Sequence, residues 1–523
     1  MADGDAVVST QTISYGWLRW RSLLRQGRLK QMAAAVALLA LGLLLALAPL
    51  EVALLLLMGS SLALLVLRHP VIGLCLLALI LPFSQVRQVS LAGAQVGLAE
   101  ALLALTLAAW LLGIAARRGR PPSGGTATEN GGRGDLPHPP LLLPFLALIG
   151  VQLLSLLASR SLRESLPELL KWAEMLLVYL FVASQVRPRH VPWIVTAVLL
   201  AGSAQALLGA YQFLRRVGPE AFVLLGRFMR AYGTFSQPNP YAGYLGLVAP
   251  LALSLTLWAL GRVWDGLRQG PRRLPADMIC RWATLGFFGG VTVLLVAGMG
   301  MSWSRGAWLG LAAALVVVSG LRSRRAALGF VLLAILVCVF AILGNLGPLS
   351  SALGGRLAGL GEYVRYATDP DLARVEITDA NFAVLERVAH WRAAWGMFSD
   401  HPWLGVGIGN YAVAYPAYSL PHWRDALGHA HNIYLHVLAE TGLLGLAAYL
   451  IFWIVAIVRI WQARTSQSDY AKAVAIGVLG VIAHLTVHNL VDNLYVQGMY
   501  LHVAILLGLP VKGWLPEPLS MTG

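Results

Sequence analysis

The sequence predicts an all-α polytopic membrane protein, and three observations lead to that class. Hydrophobic residues make up 58% of the chain and charged residues only 12%, about half the charged share of a soluble globular protein. Apolar runs of roughly 18–22 residues recur along it, the length at which a helix crosses a hydrocarbon core. Inside hydrocarbon every backbone polar group must be satisfied within its own segment, so helices are the expected spanning element.

The candidate spans fall at 32–48, 51–67, 71–87, 97–116, 140–158, 167–186, 190–213, 239–261, 283–302, 306–321, 326–346, 433–460, 471–490 and 495–511. The first pair could be one hairpin or a re-entrant element, which gives about 12–14 transmembrane helices. The chain divides into a basic N-terminus (1–31), N-terminal helices (32–116), a Gly- and Pro-rich linker (117–139) and a central helical core (140–346). A single large external loop (347–432), C-terminal helices (433–511) and a short tail (512–523) complete it. A loop as long as 347–432 is uncommon unless it has a function. Within it, "NFAVLERVAHWRAAWGMF" has helical spacing and is expected to lie at the interface as an amphipathic helix. "DHPWLGVGIGNY" reads as a turn-rich return toward the membrane.

The net charge is +15. In a soluble chain that would suggest nucleic acid, which is not expected as a partner here. Basic cytoplasmic loops and arginines kept for an anionic ligand explain the charge better. Cys75, Cys280 and Cys338 are scattered with no CxxC spacing, which argues against a disulfide framework or a zinc site. The polar N-terminus is too long for a cleaved signal peptide, and Arg19, Arg21, Arg25, Arg28 and Lys30 resemble a cytoplasmic anchor.

Orientation follows from the basic loops. With the N-terminus inside, alternation puts the clusters at 117–120, 187–190, 272–281 and 322–325 on the cytoplasmic side. The outer face then receives Arg215, Arg216, Arg227, Arg230, Arg305, Arg356, Arg365, Arg387, Arg392 and Arg424, none of which the inside rule explains.

Each polar stretch on that face has a plain reading beside a functional one. In "RFMRAYGTFSQPNPYAGYL", Arg230 is either a snorkelling arginine beside a tyrosine belt or a ligand-binding group. Pro238 and Pro240 bracket Asn239 and hold the start of the span. In "MSWSRGAWLGL", Arg305 sits almost in hydrocarbon, where a charge costs a few kcal/mol unless it is paired or faces a wet cavity. Arg387 lies either on a solvated helix face or in a site. Lys171 and Glu174 read as an intramembrane ion pair.

"HAHNIYLHVLAETGLLG" (429–445) is the densest polar stretch. Asn432 is placed to cap the helix that follows. Gly442 and Gly445 are spaced to let another helix approach. His431 and His436 lie about 140° apart on a helix, and no carboxylate accompanies them at a metal-ligand spacing, so no metal is expected. His429 borders the stretch and Glu440 has no evident role. In "HLTVHNLVDNLYVQ", His484, His488 and Asp492 share one helical face, without the glutamate of an HExxH zinc signature. Taken together, outward arginines suit bidentate phosphate binding, and a neutral histidine suits removal of a proton from a hydroxyl. A sugar carried on a lipid pyrophosphate and attacked by an acceptor hydroxyl would need both.

At this point the residues resemble a family. "HNIYLHVLAETGLLG" resembles the H-[NSQ]-x9-G-x-x-G signature of the O-antigen ligase and polymerase superfamily, through His431, Asn432, Gly442 and Gly445, with Ala448 where a third glycine is usual. "RAYGTFSQPNPYAGYL", "SRGAWLGL" and "ERVAHWRAAWGMFSDHPWLGVGIGNY" resemble the segments that precede it in the family. The resemblance covers about residues 200–500. It implies a GT-C-like, inverting, metal-independent glycosyltransferase of the bacterial cytoplasmic membrane, with its active site on the periplasmic face and no cofactor. Its partners would be an undecaprenyl-pyrophosphate-linked glycan donor, a lipid or glycan acceptor and membrane lipids. His431 would be the general base, and Arg230, Arg305 and Arg387 would bind substrate with Asn239. Asn432, His429, His488 and Asp492 would be accessory. The tail from 483 is also similar to relatives labelled inorganic-carbon transporters, which leaves a transporter as the alternative, beside a non-catalytic scaffold.

Overall fold

The computed structural model describes residues 49–118, 139–269, 275–329 and 362–509, apart from short gaps, together with a few residues between 31 and 43. The predicted spans at 32–48 and 326–346, the basic N-terminus, the 119–138 part of the linker and the tail from 510 lie wholly or mostly outside the described residues. The chain divides into two units, residues 1–69 and 70–523. The first contributes one described helix, α1 (Leu50–Arg68).

The second unit is helical throughout its framework. Its helices are α2 (Pro70–Ile80), α3 (Leu98–Arg118), α4 (Leu142–Ser155), α5 (Leu162–Gln185), α6 (Val191–Arg215), α7 (Pro238–Gly246), α8 (Ala249–Arg268), α9 (Pro275–Met301) and α10 (Arg305–Arg322). They continue with α11 (Phe382–Asp400), α12 (Tyr411–Ala414), α13 (Ile433–Ala463), α14 (Asp469–His488) and α15 (Met499–Gly508). Two short antiparallel hairpins interrupt them, β1 (Gln88–Leu91) with β2 (Ala94–Gly97), and β3 (Val223–Leu224) with β4 (Phe228–Met229). Among the described residues eight helical stretches are long and apolar enough to cross a membrane, and three shorter apolar ones accompany them. The chain is therefore an all-α polytopic membrane protein.

The core sits where α14 packs against α8 and α10. Small residues make this possible. A Cβ on Gly246 or Gly310 would overlap the His484 ring, which is fully buried between them. Ser254 donates to the Ala473 carbonyl across the same contact (2.6 Å), satisfying a hydroxyl that hydrocarbon could not.

The break in α13 shows how the sequence manages a non-helical backbone at this depth. Gly442 has φ +64° and ψ −163°, so the i→i+4 ladder stops there. Leu443 N–H donates to the Pro402 carbonyl instead (2.8 Å), and the freed carbonyls of Ala439 and Glu440 accept from Val406 and Gly407 (both 2.9 Å). These three bonds to the "HPWLGVG" loop stand in for helical ones, as burial demands. The loop can approach only because Gly405 lacks a side chain: a Cβ there would lie 2.4 Å from the Ala439 carbonyl oxygen. Asn410 fixes the loop's other side, accepting from Ser161 N–H (2.7 Å) and donating to the Ser159 and Ser165 hydroxyls (2.8 and 2.9 Å).

Three expectations need correction. Gly442 and Gly445 do not receive another helix: a Cβ on Gly442 would strike the Trp403 backbone, and one on Gly445 would meet Thr441 of its own helix. The α11 helix is not a one-sided amphipath. Val384, Val388, His390, Ala393, Ala394 and Met397 bury most of its circumference, and it packs against α13. Lys171 pairs with Glu168 rather than Glu174, and Glu174 accepts from the Tyr500 hydroxyl at 2.5 Å.

Candidate active site

The site is assembled from three polar turns and one helix. The first carries Arg230. Two buried glutamines of α6 hold the turn: Gln212 accepts from the Tyr232 and Gly233 N–H groups (3.1 and 2.7 Å), and Gln205 accepts from Thr234 N–H (3.0 Å). With its backbone fixed, Arg230 donates through Nε to the Ser302 carbonyl (2.8 Å) and through Nη2 to Asn239 Oδ1 (3.0 Å). Asn239 sits in the first turn of α7, between the two prolines.

The second turn joins α9 to α10. Trp303 takes φ +56°, and the Ser302 hydroxyl bridges the turn, donating to the Met299 carbonyl (2.6 Å) and accepting from Ser304 N–H (3.2 Å). Arg305 opens α10 immediately after it, with its guanidinium 5.7 Å above the Tyr363 ring. The third piece is α11, where Arg387 donates to the Val491 carbonyl (3.0 Å) and to the Ala383 carbonyl (2.7 Å). Burial works against the Arg387 charge, but Tyr363, Asp492 and Glu386 outweigh it and raise its pKa further.

The fourth piece is the turn between α14 and α15, which carries Asp492 with His488 one helical turn before it. His488 Nδ1 is 3.3 Å from His484 Nε2, and His488 Nε2 is 4.0 Å from Asp492 Oδ2. The structure thus brings Arg230, Asn239, Arg305, Arg387, His488 and Asp492 to one cavity of about 70 Å³, with Tyr363 on its wall.

His431 stands behind Asp492. Its backbone is left-handed, φ +50°, and its Nδ1 is 3.9 Å from Asp492 Oδ1. Burial alone would raise the Asp492 carboxyl, but the contact with His431 and the charge of Arg387 hold it well below the usual carboxylate range. His429 packs edge-on against His431 (4.4 Å between centroids), and its Nδ1 accepts from His431 N–H (3.1 Å). Burial first and the neighbouring His431 second push His429 down to about 3. Asn432 caps α13, accepting from Tyr434 and Leu435 N–H (3.0 and 3.1 Å), and donates to the Leu490 carbonyl (2.9 Å). That bond ties the histidine segment to the Asp492 turn.

One ligand atom from each of His429, His431 and Asp492 lies within 4.8 Å of the others. The carboxylate that local spacing lacks is therefore supplied from 61 residues further along the chain, and these three residues could hold a metal. His436 turns away from this group. It lies 3.6 Å from Glu440 and lines a separate small cavity with Glu168 and Lys171. Glu440 also acquires a structural partner, accepting the Tyr411 N–H at 3.0 Å.

Residues 290–450 match the family model described as O-antigen ligase. The match supports the O-antigen ligase and polymerase superfamily read from the motifs. The matched stretch holds Arg305, Arg387 and His431, while Arg230, Asn239, His488 and Asp492 reach the cavity from outside it. Comparison with curated proteins returns no match.

Sequence reading missed Tyr363, His390, Gln205 and Gln212. His390 is 1% exposed; its Nδ1 is 3.0 Å from the Tyr411 hydroxyl and its ring packs edge-on to His431 at 5.5 Å. The two glutamines carried a readable signal, since polar residues seven apart inside an apolar run occupy one helix face. Tyr363 carried none.

Proposed function

We propose that the protein transfers or polymerises an undecaprenyl-pyrophosphate-linked glycan onto an acceptor hydroxyl at the outer face of the bacterial cytoplasmic membrane. The single observation that supports this best is the convergence of Arg230, Arg305 and Arg387 on one cavity whose wall, Asp492, also faces His431. Guanidinium forks keep their charge and bind phosphate oxygens bidentately. A fixed positive cluster aimed at a leaving pyrophosphate stabilises charge that develops only in the transition state.

In this reading His431 accepts the acceptor hydroxyl's proton while that oxygen attacks the anomeric carbon. The C–O bond to the pyrophosphate breaks, the configuration inverts, and the pyrophosphate leaves against the arginines. Asp492 orients the imidazole and offsets the charge it gains. Asn239 positions Arg230 through their hydrogen bond. Arg387 joins α11 to the 489–498 turn and closes the site. In this reading no step is assigned to a metal.

The test is transfer by purified full-length protein from a defined undecaprenyl-pyrophosphate glycan, with an uptake assay of the same protein in proteoliposomes. The reading expects glycan product without solute flux, and product falling at least about 100-fold in Arg305→Ala. Robust flux without product would favour the transporter. Undiminished product in a variant lacking both Arg230 and Arg305 would remove the proposed role of the arginines.

A further inference from the structure

The cluster His429–His431–Asp492 has a second consequence. Its three side chains are the ligand types of an open transition-metal site, two imidazoles and one carboxylate. They come from two separate segments, tied together by the Asn432–Leu490 hydrogen bond. His429 Nδ1 is engaged by the His431 backbone, which leaves Nε2 as its ligand atom. Both ring nitrogens of His431 are buried without a hydrogen-bond partner among the described residues, so the imidazole has coordination capacity that the protein does not use.

The distances fit. Ligand atoms no more than 4.8 Å apart put an ion at their centre within about 2.8 Å of each, and side-chain rotation closes that to the ~2.0–2.2 Å of Zn–N and Zn–O bonds. The adjoining arginines select among metals. Arg387 and its neighbours in the cavity penalise every divalent cation by its charge, and only a metal that gains from imidazole coordination offsets this. Magnesium and calcium prefer oxygen ligands and do not.

We propose that His429, His431 and Asp492 form a site for a divalent metal of the zinc class, and that a bound metal inhibits the protein by taking the nitrogen with which His431 would accept a proton. The inhibition rests on the function proposed above, whereas the binding does not.

The experiment is calorimetric titration of ZnCl2 into purified full-length protein in detergent, repeated with MgCl2, on wild type, His429→Ala, Asp492→Asn and the remote exposed-histidine control His401→Ala. Thermal melting checks that each variant is folded. The expected result is one zinc per chain and none of comparable affinity for magnesium. Zinc binding should weaken at least about 10–100-fold, the cost of losing even an outer-shell partner, in His429→Ala and Asp492→Asn, and stay unchanged in His401→Ala. Glycan transfer by wild type should fall as zinc occupies the site and return on chelation. No stoichiometric zinc binding, or binding unaltered in folded His429→Ala, overturns the site even if His431→Ala proves inactive. Zinc bound at this site with undiminished transfer overturns the inhibition and, with it, His431 as the base.

Discussion

At the scale of single residues, His431 and His390, neighbours beside the site, have different fates. His431 has no hydrogen-bond partner for its ring among the described residues and faces Asp492. His390 is enclosed by Tyr411 and Tyr415, stacked on the latter at 4.7 Å. Burial first and the neighbouring His431 second lower His390 to about 4. The sign of the linkage is clear. Between the unfolded value near 6.5 and the folded value, the unfolded chain binds the extra proton, so stability is present above the unfolded value and is lost as pH falls. Thermal melts at pH 7 and pH 5 should show this loss, on the order of 2 kcal/mol from this group, and His390→Phe should reduce the difference between the two melts. A second prediction concerns the dyad. Asp492→Asn keeps the shape but removes the charge that offsets a protonated His431, so transfer should fall roughly 100-fold with little change in donor KM. A matching rise in KM would instead mark Asp492 as a donor-binding group. Sequence reading could single out His431, Arg230, Arg305 and Asp492 because a charged or polar group beside hydrocarbon stands out. His390 was hidden, since one histidine in a helix of mixed composition carries no periodic signal.

At the scale of elements, the break in α13 and the loop that repairs it form one unit. Gly442→Ala would put a Cβ 2.3 Å from the Trp403 carbonyl carbon at a positive φ. Backbone cannot move aside as a side chain can, so the expected cost is about 3 kcal/mol or more. Gly445→Ala would put a Cβ 2.3 Å from the Thr441 Cβ, which no rotamer change moves, so it too should cost about 1 kcal/mol or more. Melting midpoints in detergent measure both; a Gly442→Ala protein that melts with wild type would contradict the assignment of the break to Gly442. The sequence carried both glycines as a spaced pair and so suggested helix contact. What it could not show is that the partner is a loop 39 residues earlier, at Trp403, because backbone-to-backbone contacts leave no side-chain pattern. The same reason hid the burial of α11: its apolar residues cover too many directions for a stripe, and the helix reads as an amphipath only until its partners are seen.

At the scale of the whole molecule, composition and run length were enough for the fold class, since hydrocarbon permits few alternatives. The meeting of Arg230, Arg305, Arg387 and Asp492 in one cavity was legible only as a shared face inferred from alternating spans. Which side chains touch depends on turns fixed by Gln205, Gln212 and Ser302, and those are tertiary facts. If the chain acts as proposed, the arginines and His431 divide one reaction between leaving group and nucleophile, and removing the base should leave the donor site intact. The most direct measurement is therefore glycan transfer by purified His431→Ala beside wild type, with donor binding followed on both. The expected result is transfer reduced at least about 1000-fold with donor affinity and melting midpoint unchanged. Full transfer by a folded His431→Ala protein would contradict the central claim.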